Sequence, residues 1–184
     1  MKIARRTFLG GLAGSLAASG TASAQDGRSG RQIERVAKPG LRLGLNAYSF
    51  NEPLQRGELN LHELIAYSAE LGFEGVDATG YYFSTYPAAP PDGEVFALKR
   101  WAFVNALSVY GTGVRNDFAT ADEQAKERDI AMVKAWIETA QKLGAGILRV
   151  FAGTGRPEAD IPEEMWGGIA SALRECADYG ARNG

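Results

Sequence analysis

The sequence predicts an α/β fold on a parallel sheet, and three observations carry that prediction. A short apolar run followed by an amphipathic helical run occurs four times between Leu41 and Ala181. The runs recur every ~30 to 40 residues, the span of a strand, its crossover helix and the return. The clearest copy is the stretch from Gly144 to Gly155, GAGILRVFAGTG, which follows a helix whose Ile130, Val133, Ile137 and Ala140 share one face. Gly144 supplies the left-handed residue that closes that helix. Ile147 to Phe151 then reads as a strand covered on both faces, and Ala152-Gly153-Thr154-Gly155 as a small-residue loop that lets backbone approach a ligand.

The elements follow in order. Gln25 to Gly40 is a polar linker ending in the turn signal Pro39-Gly40, and the domain runs from 41 to 184. Leu41 to Ala47 forms the first strand, with Asn46, Tyr48 and Phe50 at its exit. Asn60 caps a helix that turns Leu61, Leu64, Ile65 and Ala69 inward and stops at Leu71-Gly72. Phe73 to Thr79 is the second strand, and Gly80 to Asp92 an aromatic, proline-rich loop. Glu94 to Ser108 is the next helix, with Val95, Leu98, Ala102 and either Phe103 or Ala106 facing in. Val109 to Asn116 holds the third strand, Asp122 to Leu143 the third helix, Ile147 to Phe151 the fourth strand and Glu163 to Ala181 the fourth helix. Right-handed crossovers place the strands in parallel with helices outside. An open doubly wound sheet and part of a (β/α)₈ barrel both fit. No G-x-G-x-x-G follows the first strand, which argues against a dinucleotide site.

Residues 1–24 read as a targeting segment: Arg5-Arg6 precede Phe8-Leu9, a glycine-rich apolar run follows, and Ala22-Ser23-Ala24 is an A-x-A cleavage pattern. Through Arg5, Arg6, Phe8 and Leu9 it resembles a twin-arginine export signal; a Sec signal or a membrane anchor is the alternative. The run is too short and too glycine-rich to span a bilayer. The resemblance implies a soluble exported protein, periplasmic in a Gram-negative source, that crosses the membrane already folded.

With 45% hydrophobic and 23% charged residues the chain has the apolar content of a packed domain. Losing Lys2, Arg5 and Arg6 with the signal lowers the formal charge from −2 by three, to −5. A mildly acidic chain offers no footprint for nucleic acid or an anionic membrane. The lone Cys176 lies on the apolar side of a helix with Ile169 and Leu173 and is expected to be a buried core residue. The sole histidine, His62, is expected at the surface in the first turn of a helix.

Asn46-Ala47-Tyr48-Ser49-Phe50, Gly72-Phe73-Glu74-Gly75-Val76-Asp77, the run GTGVRNDFA from Gly111 to Ala119, and LRVFAG from Leu148 to Gly153 resemble the xylose isomerase-like barrel proteins. That superfamily contains sugar phosphate isomerases and epimerases and the endonuclease IV type of repair nuclease. The likeness covers Leu41 to the end and implies the N-terminal half of a TIM (β/α)₈ barrel, about four strand-helix repeats. A whole barrel takes ~250 residues, whereas 160 follow the signal. The family's divalent-metal ligands come mainly from the second half. The resemblance therefore implies a fragment of a metal-dependent enzyme that moves a proton next to a sugar carbonyl, this chain itself lacking the metal ligands. The alternative is a non-catalytic carbohydrate-binding or pseudoenzyme domain. A repair nuclease fits poorly with the signal, the acidic charge and one histidine.

In parallel α/β folds ligands sit at the C-terminal strand ends. Asn46, Tyr48, Asp77, Arg115, Asn116 and Asp117 lie there and are the candidate substrate-binding residues: amides and carboxylates bond hydroxyls, and rings pack on the C–H face of a sugar. Asp77 and Asp117 serve equally well as caps of helices or turns. Arg149 is costly within the sheet without an acid, so a pair with Asp117 or Asp77 is expected. Tyr81, Tyr82, Phe83 and Tyr86 form either a lid over sugar or rings packed on the next helix. Open first and fourth strands predict a homodimer or aggregation.

Overall fold

Four short strands form the sheet: β1 (Gly44–Asn46), β2 (Gly75–Asp77), β3 (Ser108–Gly113) and β4 (Ile147–Arg149). All neighbours run parallel, in the order β1-β2-β3-β4. A doubly wound sheet reverses its order at a switch point; this one does not, so its topology is that of part of a (β/α)₈ barrel. The computed structural model describes residues 40–154, 157 and 160–184. The expected signal and most of the linker lie outside them.

Among the described residues five α-helices accompany the strands: α1 (Asn51–Gln55), α2 (Leu61–Glu70), α3 (Asp92–Val104), α4 (Glu123–Leu143) and α5 (Glu163–Asn183). Of these, α2 packs on α3, α3 on α4 and α4 on α5. The α2 start is a capping box: Asn60 Oδ1 accepts from the His62 and Glu63 N–H groups (2.9 and 3.0 Å), and Glu63 Oε2 accepts from the Asn60 N–H at 2.9 Å. Asp122 caps α4 by accepting from the Ala125 N–H at 3.1 Å. At the other end Gly144 adopts φ 81°; its N–H donates to Gln141 O and the Ala145 N–H to Ala140 O, the crossed pair of a Schellman turn.

The core lies between one sheet face and the helices. Val76 and Val109, register neighbours through β2 and β3, meet Leu64, Ile65, Val95, Leu98, Val133 and Trp136 there. Ile169, Ala172 and Cys176 seal it from α5. Burial pushes the Cys176 thiol pKa up, which suits the inert core role the sequence suggests.

The opposite, concave face uses glycine to admit large side chains. The Tyr110 ring lies across Gly44 and Gly75, which are paired across β1 and β2. A Cβ on Gly44 would stand 2.1 Å from Tyr110 Cε1, and one on Gly75 2.8 Å from Cδ1.

Several sequence expectations need correction. β1 begins at Gly44, not Leu41: among the described residues nothing covers Leu41 and Leu43, which lie 90% and 56% exposed. Past Asn46 the chain turns through a 3-10 segment (Ala47–Phe50) into α1, a helix absent from the sequence reading. α3 ends at Val104, because Ala106 takes φ 58° and turns the chain into β3. Phe103 is 81% exposed and Ala106 is also exposed; Leu107 takes the inward place instead. β4 is not covered on both faces: it pairs only with β3 and leaves Ile147 62% exposed.

Candidate functional site at the strand ends

A cleft of ≈ 710 Å³ opens at the C-terminal ends of the strands, and each wall is fixed by local chemistry. At the exit of β1, Asn46 Oδ1 accepts from the Tyr48 N–H (2.9 Å), capping the 3-10 turn, and lies 3.4 Å from Thr79 Oγ1. That turn throws Tyr48 outward, 54% exposed, with its ring edge-on to Tyr81 at 6.3 Å. Asn51 and Gln55 of α1 continue this wall.

The aromatic loop forms the second wall and is anchored from behind. Phe83 is buried on Trp136 of α4, with ring centroids 5.4 Å apart, and Trp136 Nε1 donates to Pro87 O at 2.9 Å. Tyr82 donates to Asn51 Oδ1 at 2.9 Å, while the Tyr86 hydroxyl accepts from the Arg115 N–H at 2.8 Å. Tyr81 and Tyr86 face the cleft. Within this loop Phe83 packs into the core, on α4 rather than on the helix that follows the loop, while Tyr81 and Tyr86 line the cleft. Burial pushes the Tyr82 pKa up to about 12, helped by the nearby Tyr48 and Tyr81, and raises Tyr86 as well. Both phenols therefore stay protonated at neutral pH and act as hydrogen-bonding groups.

The third wall is β4 and its exit, where Arg149, Phe151, Gly153 and Thr154 line the cleft. Gly155 lies outside the described residues. Arg149 lies over Gly113, where a Cβ would come within 2.8 Å of Nη2, and its Cζ stands 5.5 Å from the centre of the Phe151 ring. The expected ion pair with Asp77 or Asp117 is not formed. Both carboxylates turn to other donors: Asp77 Oδ1 accepts from Thr79 Oγ1 at 3.0 Å, while Asp117 accepts from the Ala119 N–H at 2.9 Å and from Thr154 Oγ1 at 3.4 Å. Asn116 is 1% exposed and bonds the Phe151 backbone in both directions.

The structure thus brings Asn46, Tyr48 and Arg115 together at the cleft, whereas Asp77, Asn116 and Asp117 stand behind its lining. Sequence reasoning missed Asn51 and Gln55 because α1 was not foreseen, and missed Trp136, which lies three residues after Val133 on the inward stripe. His62 is exposed, its carbonyl accepting from Trp101 Nε1 at 2.8 Å.

Among the described residues no three His, Cys, Asp or Glu side chains converge as a metal site. The cleft offers amides, phenols and guanidinium groups, a donor set that does not fit a divalent cation. It can bind and orient a polyhydroxylated molecule; among the described lining residues there is no carboxylate, imidazole, thiol or amine to move a proton.

The family model for the xylose isomerase-like TIM barrel matches residues 65–184. The chain belongs to that family. The xylose isomerase-like fold is also found in solved structures that resemble it. D-Psicose 3-epimerase from Clostridium cellulolyticum H10, solved with D-tagatose, matches with TM-score 0.64 at 16% identity, over 78% of this chain and 50% of that one. D-Allulose 3-epimerase from Methylomonas sp. gives 0.60 at 16% identity, over 78% and 49%. A sugar phosphate isomerase/epimerase from Parabacteroides distasonis ATCC 8503 gives 0.57 at 16% identity, over 79% and 52%. At such identities the likeness shows the fold, and this chain spans about half the length of each structure. No curated protein matches the sequence. Among the described residues no helix is long and apolar enough to cross a membrane.

Proposed function

We propose that this chain supplies the sugar-binding first half of an isomerase- or epimerase-type xylose isomerase-like barrel. The observation that carries the reading is the cleft at the C-terminal strand ends, where Asn46, Asn51 and Gln55 oppose the rings of Tyr81 and Tyr86. Amides exchange hydrogen bonds with hydroxyls, and rings cover the C–H face of a sugar. Of the six residues proposed from sequence, Asn46, Tyr48 and Arg115 are assigned direct contact. Asp77, Asn116 and Asp117 are assigned support of the strand exits.

A second reading, a carbohydrate-binding or pseudoenzyme domain, is favoured by the absence of a carboxylate or histidine among the described lining residues. Under the first reading, the acid, the base and the divalent metal of the family reaction belong to a second half-barrel, to which this chain stands as a fragment. Both readings keep a domain from 41 to 184, preceded by a twin-arginine signal and linker that direct it to the periplasm. Both also have the sheet edges β1 and β4 covered, in the isolated chain by self-association.

The test is incubation of the chain with D-fructose in D₂O. Binding seen by saturation-transfer NMR with no deuterium entering at the carbon next to the carbonyl is the expected result. Deuterium uptake overturns the assignment of proton transfer to another half, and absence of binding to this and other ketohexoses overturns the sugar reading.

A further inference from the structure

We propose that the cleft takes a glycoside of at least two rings, a disaccharide or longer, rather than a single sugar; this rests on the sugar-binding reading above and names its substrate class. The extent of the lining points there. At ≈ 710 Å³ the cleft lies among those that enclose drug-sized ligands. Its neutral side chains form two strips. On the polar strip, Asn51 and Gln55 stand one turn apart on α1, about 6 Å along the axis and on one face, beyond Asn46 at the exit of β1. On the aromatic strip, Tyr81 stands between Tyr48 and Tyr86, edge to face with both at centroid distances of 6.3 and 5.3 Å. The Tyr82 hydroxyl donates to Asn51 Oδ1 at 2.9 Å, and the Tyr82 ring lies 6.1 Å from that of Tyr81, so the strips are tied side by side. Hydroxyls on the amides and C–H faces on the rings suit sugar along the whole of that length.

Burial divides the strips into two subsites. Asn46, Asn51, Tyr81 and Tyr86 are half-buried, whereas Tyr48 and Gln55 line the same cleft yet are exposed, which assigns them to its mouth. A single sugar held by the half-buried set leaves the Tyr48 ring in water. A second ring stacked on it takes that apolar surface out of water, and Gln55 offers the second ring both a donor and an acceptor. The platform is formed before a ligand arrives: Asn46 Oδ1 accepts from the Tyr48 N–H at 2.9 Å, and Tyr81 holds the edge of the ring.

The experiment compares D-fructose with its α-glucosylated forms at O3, O4 and O6, turanose, maltulose and isomaltulose, titrated calorimetrically into the full 184-residue chain. The panel varies the direction in which the second ring leaves the first. At least one disaccharide is expected to bind about tenfold tighter than fructose, the effect of one stacked ring and one hydrogen bond. Tyr48→Ala and Gln55→Ala should each cut that advantage to within about threefold, and Tyr48→Phe, which keeps the ring, should retain it. Both side chains are exposed, and Gln55→Ala favours the helix, so it keeps the test open should Tyr48→Ala fail to fold. Fructose binding as tightly as every disaccharide, or Tyr48→Ala weakening all four ligands alike, overturns the two-ring class and leaves the sugar reading standing. Binding of none of them overturns both.

Discussion

Asn116 and Phe151 are joined by both ends of one buried amide: Asn116 Nδ2 donates to Phe151 O at 2.6 Å, and the Phe151 N–H donates to Asn116 Oδ1 at 2.8 Å. The side chain thereby continues the β3–β4 pairing past Gly113 and Arg149, where the strands end. Phe151 in turn faces the Arg149 guanidinium. The Asn116 amide thus ties the third wall of the cleft to the exit of β3.

Asn116→Ala strands the Phe151 N–H and C=O, each a polar group left without its partner. A loss of about 2–4 kcal/mol in urea unfolding is expected, with weaker sugar binding in variants that still fold. A loss within about 0.5 kcal/mol, the scatter of ordinary surface changes, would show that the pair is incidental.

Two glycine substitutions should act in opposite directions. A Cβ on Gly80 would stand 2.8 Å from the Gly113 carbonyl and 3.0 Å from the Trp136 ring, and neither a sheet backbone nor a buried indole gives way easily. Gly80→Ala should cost about 1–3 kcal/mol. Gly167 lies in α5 with nothing within 4 Å of its Cβ position, so Gly167→Ala should stabilise by about 0.5–1 kcal/mol through helix propensity. Chemical denaturation of the two variants side by side checks both signs.

The raised Tyr82 pKa predicts alkaline sensitivity. An unfolded tyrosine loses its proton near the ordinary value of 10.0, whereas the folded one holds it to about 12. Between those values the unfolded state binds fewer protons, so this contribution is intact below pH 10 and is lost as pH rises toward 12. Unfolding free energies measured from pH 8 upward should fall less steeply in Tyr82→Phe than in the parent. The variant should also be about 1 kcal/mol less stable at neutral pH, because the hydroxyl no longer bonds Asn51. Parallel pH profiles would remove Tyr82 from this role.

The sheet's two edges predict self-association. Among the described residues β1 and β4 each pair on one side only, and Ile147 is 62% exposed on β4. Sedimentation of the isolated chain should show dimers or larger species that increase with concentration; a monodisperse monomer that melts cooperatively would contradict it.

The repeat of strand and helix was legible because periodicity records burial directly. The inward faces of α2 and α4, the caps at Asn60 and Asp122, and the left-handed Gly144 could all be read from residue type and spacing. What depends on neighbours distant in sequence could not. Nothing near Leu41 tells that it stays uncovered by the other described residues. Arg149 lies beside Gly113 rather than an acid only because β4 registers on β3 with those two residues opposed. Asn116 looks like a ligand-facing amide until the chain brings Phe151 beside it, 35 residues later. For the same reason the cleft was half legible: its floor comes from strand ends, which periodicity locates, and its walls from α1 and the Trp136-anchored loop, which it does not.

The most direct test of the proposed sugar-binding cleft is to map amide NMR shifts in the chain as D-fructose is added. Changes clustered at Asn46, Tyr48, Tyr81, Arg115 and Arg149 to Thr154 are predicted. Changes centred on Gly44, Gly75 and Tyr110, at the opposite ends of the same strands, would contradict it, as would no change at all.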